Sequence, residues 1–367
     1  MQITAAVSRS AGADFTIEKL ELEDPRADEV LVRIVGVGVC HTDIAARDQA
    51  IPAEMPIVLG HEGAGIVEKV GAGVTSVKPG DHVVLSYTFC EKCAPCDHDH
   101  HNYCQQFAPL NFVGIRADGS KALSDSAGSV SSHFFGQSSF ASYALCYENN
   151  VIKVRDDAPL ELLGPLGCGI QTGAGTFMRS MACEAGSAVA VTGGGAVGLA
   201  AVLGAVVQGC ETIIVVEPHE NRRKLALELG ATHVIDPMAG NMTEAIRAIV
   251  PNGLNYALDT TGKNVVFAGL VAAMAAAGTI GIVGVPSTED DAMLKLDVLN
   301  LLLCGIKVKG ICEGDADPAE FIPVMVNLHM EGKFPFDKIC DFYSFNEINQ
   351  AVADQHSGKC VKAILKL

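Results

Sequence analysis

The sequence predicts an α/β chain in which a doubly wound, parallel six-stranded sheet domain is inserted in a β-rich domain. Three observations carry this. A chain of 367 residues has room for two domains. Residues 1–165 hold short apolar runs, such as 30–35 and 65–70, cut by turns like Lys78-Pro79-Gly80-Asp81. From about Gly186, short β-branched runs alternate with helical segments, as a parallel sheet with covering helices requires.

The six expected strands lie at 188–192, 212–216, 233–235, 256–259, 279–283 and 307–311, with helices between most of them, for example at 197–208 and 221–229. After about 313 come a Pro-interrupted helix and a terminal apolar strand, which suit a return to the first domain. The expected division is therefore 1–169 with 313–367 in one domain and 170–312 in the other. Repeats and low-complexity stretches are absent.

Hydrophobic residues make up 49% and charged residues 19%, enough apolar material for a sizeable core. The net charge of −17 argues against nucleic acid or an anionic membrane as partner. The N-terminus shows no basic segment leading into an apolar core, and no apolar run reaches 18 residues. A cytoplasmic protein is expected. Thirteen cysteines, an odd number, then suggest metal binding more than disulfides.

Gly193-Gly194-Gly195-Ala196-Val197-Gly198 fits G-x-G-x-x-G in the right setting. A strand ends at Thr192, a helix opens inside the motif, and Glu217 ends the next strand 19 residues after Gly198. Gly193 permits the turn, Gly195 lets the backbone approach a pyrophosphate at the helix N-terminus, where Ala196 and Val197 begin the first turn, and Gly198 allows close helix–sheet packing. Glu217 can accept hydrogen bonds from the adenosine ribose and would repel a 2′-phosphate, which favours NAD. Arg222 and Arg223 follow closely. Solvated helix charges are the plainer reading for both, with Arg222 kept as a candidate cofactor contact.

Cys90, Cys93, Cys96 and Cys104 form C-x2-C-x2-C-x7-C, four thiolates able to close a tetrahedral shell around a structural zinc. Asp97, His98, Asp99, His100 and His101 in the same loop then read as solvated. Cys40, His61 and Cys168 are a dispersed second set. Two thiolates and an imidazole with an open fourth position suit a catalytic zinc, but spacing alone does not gather them.

Taken together, Cys40-His41-Thr42-Asp43, Gly60-His61-Glu62-Gly63, the four-cysteine loop, Gly167-Cys168-Gly169-Ile170-Gln171-Thr172-Gly173, the glycine fingerprint and Gly358-Lys359-Cys360-Val361-Lys362 resemble the zinc-containing medium-chain alcohol dehydrogenases over essentially the whole chain. The resemblance implies a GroES-like fold for the β-rich domain, NAD as cofactor and two zinc ions per chain. Cys40, His61 and Cys168 would hold the catalytic zinc, with Glu62 entering its shell transiently. Asp43 would fix the His61 tautomer. Thr42 would take the substrate proton into a relay running through the cofactor ribose, and hydride would pass from a zinc-bound alkoxide to the nicotinamide. His41 and Lys362 would touch the pyrophosphate and Thr172 the nicotinamide. Val283 and Val285 would line the nicotinamide and substrate face, or simply fill strand core.

Many family members place a His five residues after the first cysteine as outer base of the proton relay; here it is Ala45. Arg47 is permanently charged and makes a poor base, so the base stays unassigned. Within the family, 161–175, 133–140 and 332–337 resemble aryl-alcohol (benzyl-alcohol) and geraniol dehydrogenases, and 313–318 resembles the geraniol type particularly. The implied reaction is oxidation of a primary aromatic or allylic alcohol to its aldehyde. The rivals are glutathione-dependent formaldehyde dehydrogenase and a non-catalytic, zinc-stabilised nucleotide-binding protein. The resemblance also implies a homodimer or homotetramer. Cys146, Cys183, Cys210, Cys304, Cys312, Cys340 and Cys360 read as packing residues, and the Leu301-Leu302-Leu303 run as interface or core.

Overall fold

The computed structural model describes residues 1–367, which divide into two compact units. The first comprises Met1–Cys168, Asp317–Met330 and Cys340–Leu367; the second comprises Gly169–Ala316 and Glu331–Ile339.

The first unit contains two sheets. One is five-stranded, in the order Ile57–Val58, Gln2–Ser8, Thr16–Leu22, Leu123–Asp125, Gly128–Val130, and wholly antiparallel. The other runs Val151–Lys153, His82–Leu85, Gly63–Val70, Glu29–Gly38, Lys362–Lys366, Cys340–Ser344, with Tyr143–Tyr147 also pairing with Glu29–Gly38. Glu29–Gly38 is central because its sequence, EVLVRIVGVG, is a nearly unbroken apolar run that tolerates burial on both faces. Its end needs glycine: a Cβ on Gly38 would collide with the Glu62 carboxylate, and one on Gly36 with the Glu161 carbonyl. The terminal strand lies antiparallel to it, Ile364 opposite Gly38. The C-terminal segment thus returns to the sheet that carries Cys40 at its exit. The core beneath includes Val30, Val37, Val39, Leu59, Phe134 and Phe140.

The second unit is the expected parallel sheet, in the order His233–Ile235, Thr212–Val216, Ala188–Thr192, Leu254–Asp259, Met274–Ile282, Lys307–Gly310. The first three strands add outward on one side of Ala188–Thr192 and the last three on the other. The order therefore reverses beside that strand, the position at which doubly wound sheets bind ligands. Helices Ala196–Val207 and Glu220–Glu228 lie where helices were expected. One strand starts five residues earlier than its sequence suggests, at Met274 instead of 279, because pairing opposite Leu254 draws the run Met-Ala-Ala-Ala-Gly into the sheet across a bulge. Residues 331–339 belong to this unit, where Phe334 and Phe336 are fully buried.

Candidate active site

Helix His41–Arg47 begins directly after strand Glu29–Gly38, with Cys40 in extended geometry at its N-cap. Asp43, in the first turn and 0% exposed, organises the surroundings. One carboxylate oxygen accepts from the Cys40 N–H at 3.0 Å; the other accepts from the Gly60 N–H at 3.0 Å and meets His61 Nδ1 at 2.8 Å. That contact places the His61 proton on Nδ1 and leaves Nε2 as a lone pair. Nε2 is buried without a hydrogen-bond partner. Gly60 sits at φ +90°, where a Cβ would collide with Phe140, so only glycine turns the chain to present His61 here. Cys168 arrives from the turn Gly164–Gly167, held by the Ser86 hydroxyl donating to the Gly167 carbonyl at 2.6 Å.

Four donor atoms, one each from Cys40, His61, Glu62 and Cys168, lie within 4.8 Å of one another. The Cys168 thiol's hydrogen bond holds the Cys40 thiol well below its ordinary pKa, and the charge of the Lys362 ammonium adds to it. Burial pushes the Glu62 carboxyl up to about 7 against the pull of Lys362. An orphaned imidazole nitrogen facing two sulfurs, one predisposed to ionise, is a donor set that fits zinc. Thr42 Oγ1 is 3.7 Å from Cys40 Sγ. His41 is exposed and Ala45 half-buried. Lys362 is almost fully buried, with Nζ 2.7 Å from Glu62 and donating to the Val39 carbonyl at 3.1 Å.

Two further residues shape the site. The Phe135 ring stacks on His61, centroids 4.4 Å apart. Gln137 donates to the His61 and Ser86 carbonyls at 3.0 Å each and accepts from the Gly63 N–H at 3.2 Å. In the sequence, 133–140 stands out only as a family signature. Phe135 and Ser138 both have positive φ, which no residue type in the segment announces.

The other cluster, Cys90, Cys93, Cys96 and Cys104, also brings its sulfurs within 4.8 Å of one another. Cys93 Sγ lies 3.4 Å from Cys96 Sγ and 3.9 Å from Cys104 Sγ, around the ~3.8 Å edge of a tetrahedral zinc–thiolate shell. The N–H groups of Gln105 and Gln106 donate to Cys93 and Cys104, as suits thiolates. Asp97, His98, Asp99 and His100 are exposed, whereas His101 stacks on Phe89 with centroids 3.9 Å apart. Of the remaining cysteines, Cys146, Cys183 and Cys360 are buried, and Cys210, Cys304, Cys312 and Cys340 are half-buried.

In the second unit the glycine fingerprint caps the sheet's switch point. Gly193 lies at φ +94°, a Cβ on Gly198 would collide with the Gly193 carbonyl, and a Cβ on Gly195 would meet open space. Turn, close packing and clearance are what a dinucleotide pyrophosphate needs, so the loop fits one. The buried Glu217 carboxylate accepts from the Gly194 N–H at 2.6 Å and the His219 N–H at 2.8 Å, with lone pairs left over for a ribose. Arg223 is engaged with the Glu217 and Pro218 carbonyls and Asp236. Arg222, whose Cβ lies beside Gly194, has a buried Nε without a hydrogen-bond partner. Thr172 Oγ1 donates to Glu313 at 3.4 Å. Val283 is half-buried and Val285 is 77% exposed, so Val285 is not strand core.

A GroES-like β domain, a doubly wound second unit and a Cys/His/Cys cluster together define a class. Residues 26–156 match the alcohol dehydrogenase GroES-like domain and 196–329 the zinc-binding dehydrogenase family. The chain belongs to the zinc-containing medium-chain alcohol dehydrogenases. It is 48% identical over 363 residues to a geraniol dehydrogenase of Castellaniella defragrans, spanning 98% of this chain and 96% of that one. The solved benzyl alcohol dehydrogenase of Acinetobacter calcoaceticus is 46% identical, with TM-score 0.96 and 100% and 99% of the two chains covered. An alcohol dehydrogenase zinc-binding domain protein of Burkholderia ambifaria is 52% identical, with TM-score 0.98 and the same coverage.

Proposed function

We propose that the protein oxidises primary aromatic or allylic alcohols to aldehydes, reversibly, with NAD as hydride acceptor. The observation that carries this reading is the buried His61 Nε2, set by Asp43 and left unpartnered beside Cys40, Cys168 and Glu62. Cys40, His61 and Cys168 would hold one zinc, with Glu62 close enough to exchange in; Cys90, Cys93, Cys96 and Cys104 would hold a second. Zinc in the first set supplies the Lewis acidity that makes a hydroxyl acidic near neutral pH, and a bound nicotinamide supplies the hydride acceptor.

The chain's own residues do the rest. Thr42 carries the hydroxyl that would accept the substrate proton while handing its own on to a relay through the cofactor ribose. Asp43 keeps His61 in the tautomer that presents Nε2. Phe135 and Phe134 cover the imidazole and keep water from it. Glu217, anchored on the fingerprint loop, disfavours a 2′-phosphate and so selects NAD over NADP. The names of the geraniol and benzyl alcohol relatives support a substrate whose aldehyde is conjugated. The molecule has no helix long and apolar enough to cross a membrane; we place it in the cytoplasm, acting on small molecules.

NADH formation by the zinc-replete protein tests this. Benzyl alcohol and geraniol should react with NAD, while S-hydroxymethylglutathione and NADP should give little rate. Turnover of the glutathione adduct alone would favour the formaldehyde branch, and no turnover with any alcohol would favour a non-catalytic role.

A further inference from the structure

Glu313 is a carboxylate that the proposed reaction does not use. It is 8% exposed, in a turn where Glu313, Gly314 and Asp315 have φ +52°, +71° and +50° in succession. A left-handed glutamate and aspartate are strained, and such strain persists where the surroundings enforce it, often at functional sites. Here the enforcing contact is backbone on backbone: a Cβ on Gly314 would press on the Gln171 carbonyl, and one on Gly175 on the Gly314 carbonyl. Packed this way, Glu313 accepts from Gln171 Nε2 at 3.2 Å and from Thr172 Oγ1 at 3.4 Å. The other end of the Gln171 amide, Oε1, is buried without a hydrogen-bond partner, and the residue is 0% exposed. Helix Gly169–Gly175 crosses the first turn of the fingerprint helix so closely that a Cβ on Gly173 would collide with the Val197 carbonyl. Gly173, two residues along the same helix from Gln171, thus packs on the helix that the dinucleotide fingerprint opens. Lys309 is committed to the neighbouring Asp315 at 2.7 Å.

We infer that Glu313 tunes the charge of the nicotinamide site, its carboxylate favouring the cationic oxidised ring over the neutral reduced one, with Gln171 Oε1 as an acceptor for the carboxamide N–H. The inference rests on the proposed placement of Thr172 at the nicotinamide. Hydride transfer to the ring abolishes its positive charge, so a fixed anion nearby binds NAD⁺ more tightly than NADH. The role is one of electrostatic bias on cofactor binding and is separate from the proton relay.

The test is a titration of zinc-loaded wild type, Glu313→Gln and Thr172→Leu with NAD⁺, NADH and ADP-ribose, followed by fluorescence or calorimetry. Glutamine keeps the shape and an acceptor oxygen and removes only the charge. Glu313→Gln should raise the ratio Kd(NAD⁺)/Kd(NADH) about tenfold, raising the potential of the bound couple by about 30 mV. ADP-ribose affinity should not change. An unaltered ratio, or equal weakening of NAD⁺, NADH and ADP-ribose, would overturn the inference and leave Glu313 as a packing residue. Thr172→Leu separates the two failures. It should weaken both nicotinamide forms and spare ADP-ribose; if it alters none of the three, Thr172 does not line the nicotinamide and the inference falls with that placement.

Discussion

Asp43 serves three partners with one buried carboxylate: the Cys40 N–H, the Gly60 N–H and His61 Nδ1. Asp43→Asn cannot accept on both sides of its amide, so it must release one partner. The variant should bind zinc at this set about 10–100-fold more weakly, measured by chelator competition, with the four-cysteine zinc unaffected. Cys168→Ala should abolish turnover, retain the fold and lower the zinc content by one equivalent per chain. Cys93→Ala should instead cost stability and lose the zinc of its own lobe. A Cys168→Ala protein with full activity would refute the ligand assignment. At this scale the sequence was legible unevenly. The four-cysteine loop is readable from spacing because its ligands are near neighbours. Cys40, His61 and Cys168 are separated by long stretches of chain, so only the family resemblance gathered them. Phe135 and Gln137 were not legible at all, since their roles depend on a left-handed turn and on where the backbone of His61 runs. Lys362 was expected at the pyrophosphate; the fold gives its ammonium to Glu62, a contact set by the register of the terminal strand.

Strand Glu29–Gly38 begins with a buried carboxylate in an apolar run, and the network around that residue explains how it is tolerated. Arg116 donates to both Glu29 oxygens, at 2.6 and 3.0 Å, and the Arg26 N–H donates at 2.9 Å. His133 Nε2 lies 3.5 Å away. Burial alone would raise the Glu29 pKa; the nearby His133 ring and the hydrogen bonds of Arg116 and the Arg26 N–H outweigh it and bring it to about 2, from an ordinary 4.5. Burial holds His133 below its ordinary 6.5. Both folded-state values are depressed, so both contributions are complete at neutral pH. The His133 part is lost as pH falls below about 6.5 and the Glu29 part as it falls from about 4.5 toward 2. Melting temperature should therefore decline steadily from pH 7 to pH 3. Glu29→Gln should melt lower at pH 7, by the equivalent of about 3 kcal/mol, but with a shallower acid slope; an unchanged slope would remove Glu29 from this account. The elements themselves were legible to differing degrees. The six parallel strands are legible from short runs set between helical segments; most are β-branched, although Leu254–Asp259 holds no β-branched residue. Ile57–Val58 and Gly128–Val130 are too short to show a period; the first pairs with Val7 and Ser8 far along the chain, the second only with the adjoining Leu123–Asp125 in a hairpin. Residues 274–278 fell outside the expected strand because alanine and glycine are poor strand formers, and pairing opposite Leu254 overrides that preference.

For the whole molecule, two compact units and a parallel sheet whose order reverses beside Ala188–Thr192 follow from where apolar periodicity changes along the chain. The Leu301-Leu302-Leu303 run was ambiguous between core and interface. In the structure Leu301 packs partly on the core, while Leu302 and Leu303 are each 72% exposed beside the edge strand Lys307–Gly310. We propose that this face joins copies of the chain. Leu302→Glu with Leu303→Glu should shift the mass seen by light scattering toward the monomer, and an unchanged mass would place the interface elsewhere. Above all, the account requires that Cys40, His61 and Cys168 hold one metal. Anomalous diffraction at the zinc edge from crystals of the protein decides this. The account predicts a peak about 2.3 Å from the Cys40 and Cys168 sulfurs and about 2.0–2.1 Å from His61 Nε2; density at the four-cysteine lobe with none among these three side chains would contradict it.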